Sequence, residues 1–195
     1  ATGNGGDYLQ ITDGSPDANA EIKPFNCLNG VLVLAGPASI PAGIAVTLHP
    51  GVVVKSATAN AITVQGSLHL LGTPVEPVVL TSLADDAFAG DTNADGNLTS
   101  PSKGAWGGIA YLSAADASSV EEVLIRYAGY NGAPGLFCSA PLLVARGVRV
   151  EHCANDGIEA WKHSGPALNW IAYDCDAYGI DLWSGSFDLR HATVH

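Results

Sequence analysis

Positive charge is scarce in this chain. Of 195 residues only 8 are Lys or Arg, against 19 Asp or Glu, for a net charge of −11. Such a surface repels phosphate backbones and anionic headgroups, so no nucleic-acid partner and no anionic membrane is expected. Charged residues of either sign reach only 14%, too few for a helical bundle, which draws heavily on Lys, Glu, Arg and Leu. No apolar run approaches the roughly 18 residues of a membrane-spanning helix, so membrane insertion is not expected either. Methionine is absent, even at position 1; the expectation is that a targeting segment was removed or that the chain is an excised piece. The four cysteines, Cys27, Cys138, Cys153 and Cys175, form no CxxC and no zinc spacing. They allow disulfides, Cys27 with Cys138 or Cys153 with Cys175, without requiring them.

Apolar residues make up 47% of the chain, with 23 Gly and 11 Pro. That is enough for a sizeable core, and the length fits one domain spanning 1–195 or one regular array. The array reading has direct support. Val148-Arg149-Val150-Glu151-His152-Cys153 is followed by Gly157-Ile158-Glu159-Ala160-Trp161, and the pattern returns at an offset of 22 in Trp170 to Cys175 and Gly179-Ile180-Asp181-Leu182-Trp183. Val123 to Ala128 is an earlier copy and Leu189 to Val194 a later one. The N-terminal half is a series of short β-branched runs such as Val31 to Leu34, Val52 to Lys55, Ile62 to Val64 and Val78 to Thr81, each bounded by Gly, Pro or Asn. Strands this close leave no room for the dozen or more crossover residues of a βαβ unit. An antiparallel sandwich has no reason to repeat a Cys, a Gly and a Trp in register, whereas a stack of parallel coils does. The expected fold is therefore all-β, a right-handed parallel β-helix of roughly seven or eight coils at about 22–25 residues each. An N-terminal extension is expected over 1–23 and one protruding acidic loop over 84–104.

Ile40-Pro41-Ala42-Gly43, Val46 to Lys55 with its Pro50-Gly51-Val52 turn, and Val64-Gln65-Gly66-Ser67-Leu68 resemble the opening coils of secreted bacterial right-handed parallel β-helix proteins. Leu80 to Gly96 is similar to the acidic insert of that family, and Lys103 to Ile109 to the coil that resumes after it. Ala89 and Ala105 depart from the pattern, which would place Gly and Asp there. The resemblance covers residues 31–130; it implies the solenoid fold and an extracellular or cell-surface address more firmly than any activity.

The sharpest chemical signal is Asp91-Thr92-Asn93-Ala94-Asp95-Gly96-Asn97, which matches D-x-[DN]-x-[DN]-G, the first half of an EF-hand loop. Oxygen ligands at alternate positions converge on one calcium ion because the glycine permits a sharp turn. The Asn97 carbonyl would be the seventh position. Position 12 is Ser102 rather than Glu, so a further carboxylate has to come from elsewhere, with Asp85 or Asp86 nearest. The same composition also suits a solvated loop that binds nothing. Asn97-Leu98-Thr99 reads as a glycosylation sequon that arises by chance in a bacterial protein.

Strand alternation supplies a second candidate. If Ile158 and Ala160 face inward, Glu159 and Trp161 face out, with Asp181 and Trp183 directly over them. Two stacked indoles beside two carboxylates suit a polysaccharide or cell-surface glycan; they equally suit a strip covered by a loop or one that merely decorates the solenoid. Stacked coils hold such carboxylates about 4.8 Å apart, near the spacing of a retaining glycosidase, but every parallel stack does so. The catalytic sets of pectin-cleaving β-helix enzymes are absent, so no catalytic residue is assigned. The expected function is a calcium-stabilised, non-enzymatic extracellular module, structural or adhesive. It would self-associate head to tail as a filament or surface-layer subunit. The alternatives are a polysaccharide lyase or glycosidase on the same scaffold, or a carbohydrate-binding module.

Overall fold

The computed structural model describes residues 8–12, 14–24, 30–112, 115–140, 142–161 and 164–195. Cys27 lies outside them, as do residues 1–7 and 13 of the expected extension. The strands are short and follow one another closely. The first coils comprise β1 (Leu9–Ile11), β2 (Ala20–Ile22), β3 (Val31–Leu34), β4 (Ala38–Ile40), β5 (Ala45–Leu48), β6 (Val53–Ser56), β7 (Ile62–Val64), β8 (Ser67–Leu71) and β9 (Val78–Ser82). The later coils comprise β10 (Ile109–Tyr111), β11 (Ser118–Arg126), β12 (Leu136–Cys138), β13 (Leu142–Glu151), β14 (Ile158–Trp161), β15 (Ser164–Leu168), β16 (Ile171–Tyr173), β17 (Ile180–Trp183), β18 (Ser186–Arg190) and β19 (Thr193–Val194).

All these strands pair in parallel, each with its equivalent one coil away, as a β-solenoid of about seven turns. One ladder runs β1-β3-β6-β9-β11-β13-β16-β19, a second β2-β5-β8-β11-β13-β15-β18, and a third β4-β7-β10-β12-β14-β17. The long strands β11 and β13 bend from the second side onto the first and join those ladders into one 13-stranded sheet; the third is a separate 6-stranded sheet. The segment set apart in the sequence as an extension contributes β1 and β2 to the first turn.

The alternation seen in the sequence is what fills the interior. On the first ladder Leu32, Val54, Leu80, Ile125, Val150 and Ala172 lie in register and all are buried. On the third, Ile62, Ile109, Leu136 and Ile158 do the same. Each such aliphatic side chain contributes roughly 1.5–3 kcal/mol when removed from water. The repeated Gly and Cys are one packing unit. A Cβ at Gly157 would lie 2.9 Å from Cys175 Sγ and 2.6 Å from the Gly179 carbonyl oxygen, and a Cβ at Gly135 would lie 2.8 Å from Cys153 Sγ. Each glycine therefore leaves room for the thiol of the following coil.

The coils turn at residues in left-handed backbone. Glu122, Gly147, Asn169 and His191 (φ 48°, 62°, 55° and 57°) occupy one corner of successive turns, and Tyr127, His152 and Asp174 (φ 58°, 55° and 52°) another. Repeating the conformation coil after coil keeps neighbouring strands in register, which offsets the local cost to non-glycine residues. Between β9 and β10 the chain leaves the solenoid in one irregular segment, residues 83–108, that carries the acidic stretch.

Candidate metal centre and aromatic strip

The insert is fastened at both ends. At its start Asp85 is 2% exposed and accepts hydrogen bonds from Thr81 Oγ1 at 2.6 Å and Arg126 Nη1 at 2.8 Å, while Ala87 N donates to its other oxygen. Arg126 Nε also lies 3.2 Å from Glu151 Oε2, a charge contact without hydrogen-bond alignment. The guanidinium stands over the Phe88 and Tyr127 rings. At the far end Trp106, 1% exposed, donates from Nε1 to the Arg126 carbonyl at 2.7 Å. Lys103 bridges Asp174 and Asp176 at 2.7 and 2.6 Å, hydrogen bonds that raise its pKa. Asp174 also meets His152 Nδ1 at 2.7 Å. Beneath the loop Lys55 is fully buried and donates to the Gly90 carbonyl at 2.7 Å. Burial lowers its pKa, and Asp86, Asp85 and Asp91 act in the opposite direction.

Between these fastenings the loop folds on its own carboxylates. Gly96 takes φ +66°, the turn the motif requires. Asp91 accepts from the backbone N–H groups of Asp95 and Gly96 at 3.1 and 2.8 Å. Asp95 accepts from the N–H groups of Asn97, Leu98 and Thr99, from Asn93 Nδ2 at 2.7 Å, and from the Thr99 hydroxyl. The Thr99 hydroxyl bond above all holds the Asp95 carboxyl below its ordinary range. One carboxylate oxygen each from Asp86, Asp91 and Asp95 lie within 4.8 Å of one another. Oxygens that share a calcium ion at 2.3–2.6 Å are separated by no more than about 5 Å, so the grouping has the right size. Asp86 Oδ1 and Asn93 Oδ1 are buried and have no hydrogen-bond partner. Of the two carboxylates the sequence left open, Asp86 joins the cluster, while both Asp85 oxygens are engaged with Arg126, Thr81 and Ala87. Asn97 contributes its N–H to Asp95 from a left-handed conformation.

The aromatic strip lies on the third ladder. Glu159 is in register with Asp181 and Trp161 with Trp183; the two indoles are 43% and 56% exposed. Their centroids are 6.3 Å apart with planes at 54°, and Phe137 meets Trp161 edge-on at 5.4 Å. Each indole N–H donates to the carboxylate two residues before it, Trp161 to Glu159 and Trp183 to Asp181, both at 2.7 Å. Burial raises the Glu159 pKa, helped by Asp156 and Asp181 and opposed by the indole bond. Cys153 is buried and Cys175 half-buried, and both are free thiols.

Sequence reasoning reached the Asp91–Asn97 loop and the Trp pair, because each is written in a short local pattern. It missed Arg126, Lys103 and Lys55, the residues that position the loop. Their partners lie 35 to 73 residues away, so no local spacing marks them. No protein-family model, no curated protein and no solved structure matches the chain.

Proposed function

We propose that this protein is a calcium-braced extracellular β-solenoid, a rigid structural or adhesive module rather than an enzyme. The observation that carries the reading is the convergence of the Asp86, Asp91 and Asp95 oxygens beside the buried, unpartnered Asp86 Oδ1 and Asn93 Oδ1. An all-oxygen set suits a hard cation, and its size and irregular geometry favour calcium over magnesium. The brace would act where it matters mechanically, because the insert touches coils on both sides of the break in the array, through Lys55 before it and through Arg126, Asp174 and Asp176 after it. Calcium at a hundred times its dissociation constant should stabilise the fold by about 2.7 kcal/mol. The test is thermal unfolding with calcium and with chelator, for the wild type and for Asp91→Ala and Asp86→Asn. A calcium-dependent rise in Tm in the wild type, lost in both variants, supports the reading. A wild-type Tm indifferent to chelator sinks it.

The exposed Trp161 and Trp183 favour a second role on the same scaffold, binding of a polysaccharide. Apolar ring faces flanked by carboxylates suit the alternating apolar and hydroxyl surfaces of a sugar. Glycan-array binding that disappears on Trp161→Ala or Trp183→Ala, with Tm retained, would establish it. Glycan turnover would instead move the protein to the enzyme class.

A further inference from the structure

The first coils line a half-open apolar cavity of about 260 Å³. Its walls come from three turns and include Ile11, Ala20, Ala38, Val46, Ile62 and Leu68. Register explains why it is there. On the third ladder the position of Ala38 is taken in later coils by Ile62, Ile109, Leu136, Ile158 and Ile180. On the second, the position of Ala20 is taken by Val46 and Leu68. The first two coils therefore present a methyl group at positions where their successors present a branched side chain.

Elsewhere in the molecule small residues at inward positions are matched by a large one. Trp170, fully buried, donates its N–H to the Ala145 carbonyl at 3.2 Å and belongs to the same core as Ala145, Ala160 and Ala167. Tyr111 stands in register with Cys138 and Ala160 and donates its hydroxyl to the Leu68 carbonyl. Among the described residues of the first coils no buried aromatic side chain supplies such volume, and no Phe, Tyr or Trp occurs between Gly30 and Ala87.

We infer that this lumen is a binding site for one small, neutral, apolar molecule. Among the described residues the walls are almost entirely aliphatic; Ser15 and Ser39 are the hydroxyl-bearing residues, and no charged side chain is among them. That chemistry excludes ions, sugars and nucleotides, whose polar groups would be left without partners. A dry aliphatic cavity of about 150 Å³ is known to take benzene, so the larger volume here accommodates a hydrocarbon of about ten carbon atoms. The site is separate from the acidic loop and the Trp strip and stands whether or not those bind anything.

The probe is naphthalene, titrated against the whole chain and followed by ligand-observed NMR, Tm and methyl chemical shifts. The expected result is saturable uptake of one molecule per chain, a raised Tm, and shift changes confined to methyl groups of the first coils, such as those of Val46, Val54 and Leu68. Ala38→Ile restores the ladder that the later coils follow; it should raise the ligand-free Tm and abolish uptake. Ala20→Val is the second filling variant, and the methyl-shift map decides if neither variant folds. No saturable uptake up to the solubility limit overturns the proposal. So do shift changes scattered over the outer surface, or uptake undiminished in a folded Ala38→Ile protein.

Discussion

In the coils before Ser82 the inward side chains are Val, Leu, Ile and Ala, and an apolar cavity remains among them. From Trp106 onward, two tryptophans and a tyrosine (Trp106, Trp170 and Tyr111) enter the core, each no more than 1% exposed, and alanines and cysteines stand beside them. The backbone frame is the same parallel ladder on both sides of the insert. What differs is whether reduced volume at one position is balanced by added volume at another. A solenoid lumen tolerates either solution because each coil contacts only its neighbours, so a packing fault is not transmitted along the axis. The coils at the C-terminal end show the same freedom in another way: Cys175, Ile180 and Leu182 are only partly buried.

The insert sits at the junction of the two regions, and Arg126 is its principal fastening. Arg126→Ala strands Asp85, whose side chain is 3% exposed, without a cation and leaves Glu151, 8% exposed, to Arg149 alone. Breaking a buried pair in this way costs about 3–5 kcal/mol. Urea unfolding should show that loss, together with a transition that splits as the two halves uncouple. A single transition displaced by less than about 1 kcal/mol would mean that the junction is held by other contacts.

Trp170→Ala tests the comparison from within. It removes the filler from the later coils, with an expected cost of about 3–5 kcal/mol. It should also make their lumen resemble that of the first coils, which calorimetry and naphthalene uptake at a second site would register. A cost near zero would mean that the small residues around Trp170 already leave space of their own.

The thiols report on how far the filling extends. The Cys175 thiol is lowered to about 7, first by its hydrogen bond with Cys153, while that bond pushes the buried Cys153 up. Iodoacetamide followed by peptide mass spectrometry should therefore label Cys175 first, at a rate that rises through about pH 7, with Cys153 protected. Equal labelling of both would show that the last coils open readily.

The smallest effect concerns the strip. Glu159 has its folded-state pKa raised above 4.5, with burial the largest cause. A carboxyl raised on folding contributes its stability below the unfolded value and loses it as pH rises through the folded one. Glu159→Gln keeps an acceptor for the Trp161 indole and removes the buried charge. Its Tm should exceed that of the wild type at pH 7 by a small margin that vanishes below about pH 4. A variant less stable at pH 7 would show that the charge strengthens the indole bond by more than burial costs it.

Much of this could be read from residue order. The register Ile158 over Ile180 and Trp161 over Trp183 follows from a repeated string of residue types, and the outward direction of Glu159 and Trp161 follows from period-two alternation. The acidic loop declared itself because an EF-hand-like spacing is local. The corners were legible only in part: Gly147, Asn169, Asp174 and His152 are types that favour left-handed backbone, whereas nothing in the types of Glu122 and Tyr127 announces it. The choice between Asp85 and Asp86 was equally closed to spacing, since Arg126, which claims Asp85, stands 41 residues away.

The sequence by itself determined the parallel stack, because identical residue types at a constant interval can bury one apolar face coil after coil in only one register. It also determined the acidity of the insert and the outward aromatic pair. Only the tertiary structure decided which carboxylates meet, what fastens the insert, and where the lumen is full. Those outcomes depend on side chains brought together from distant coils, and on whether the volume missing at Ala38 is supplied by any neighbour, which close packing settles in three dimensions and no local pattern records.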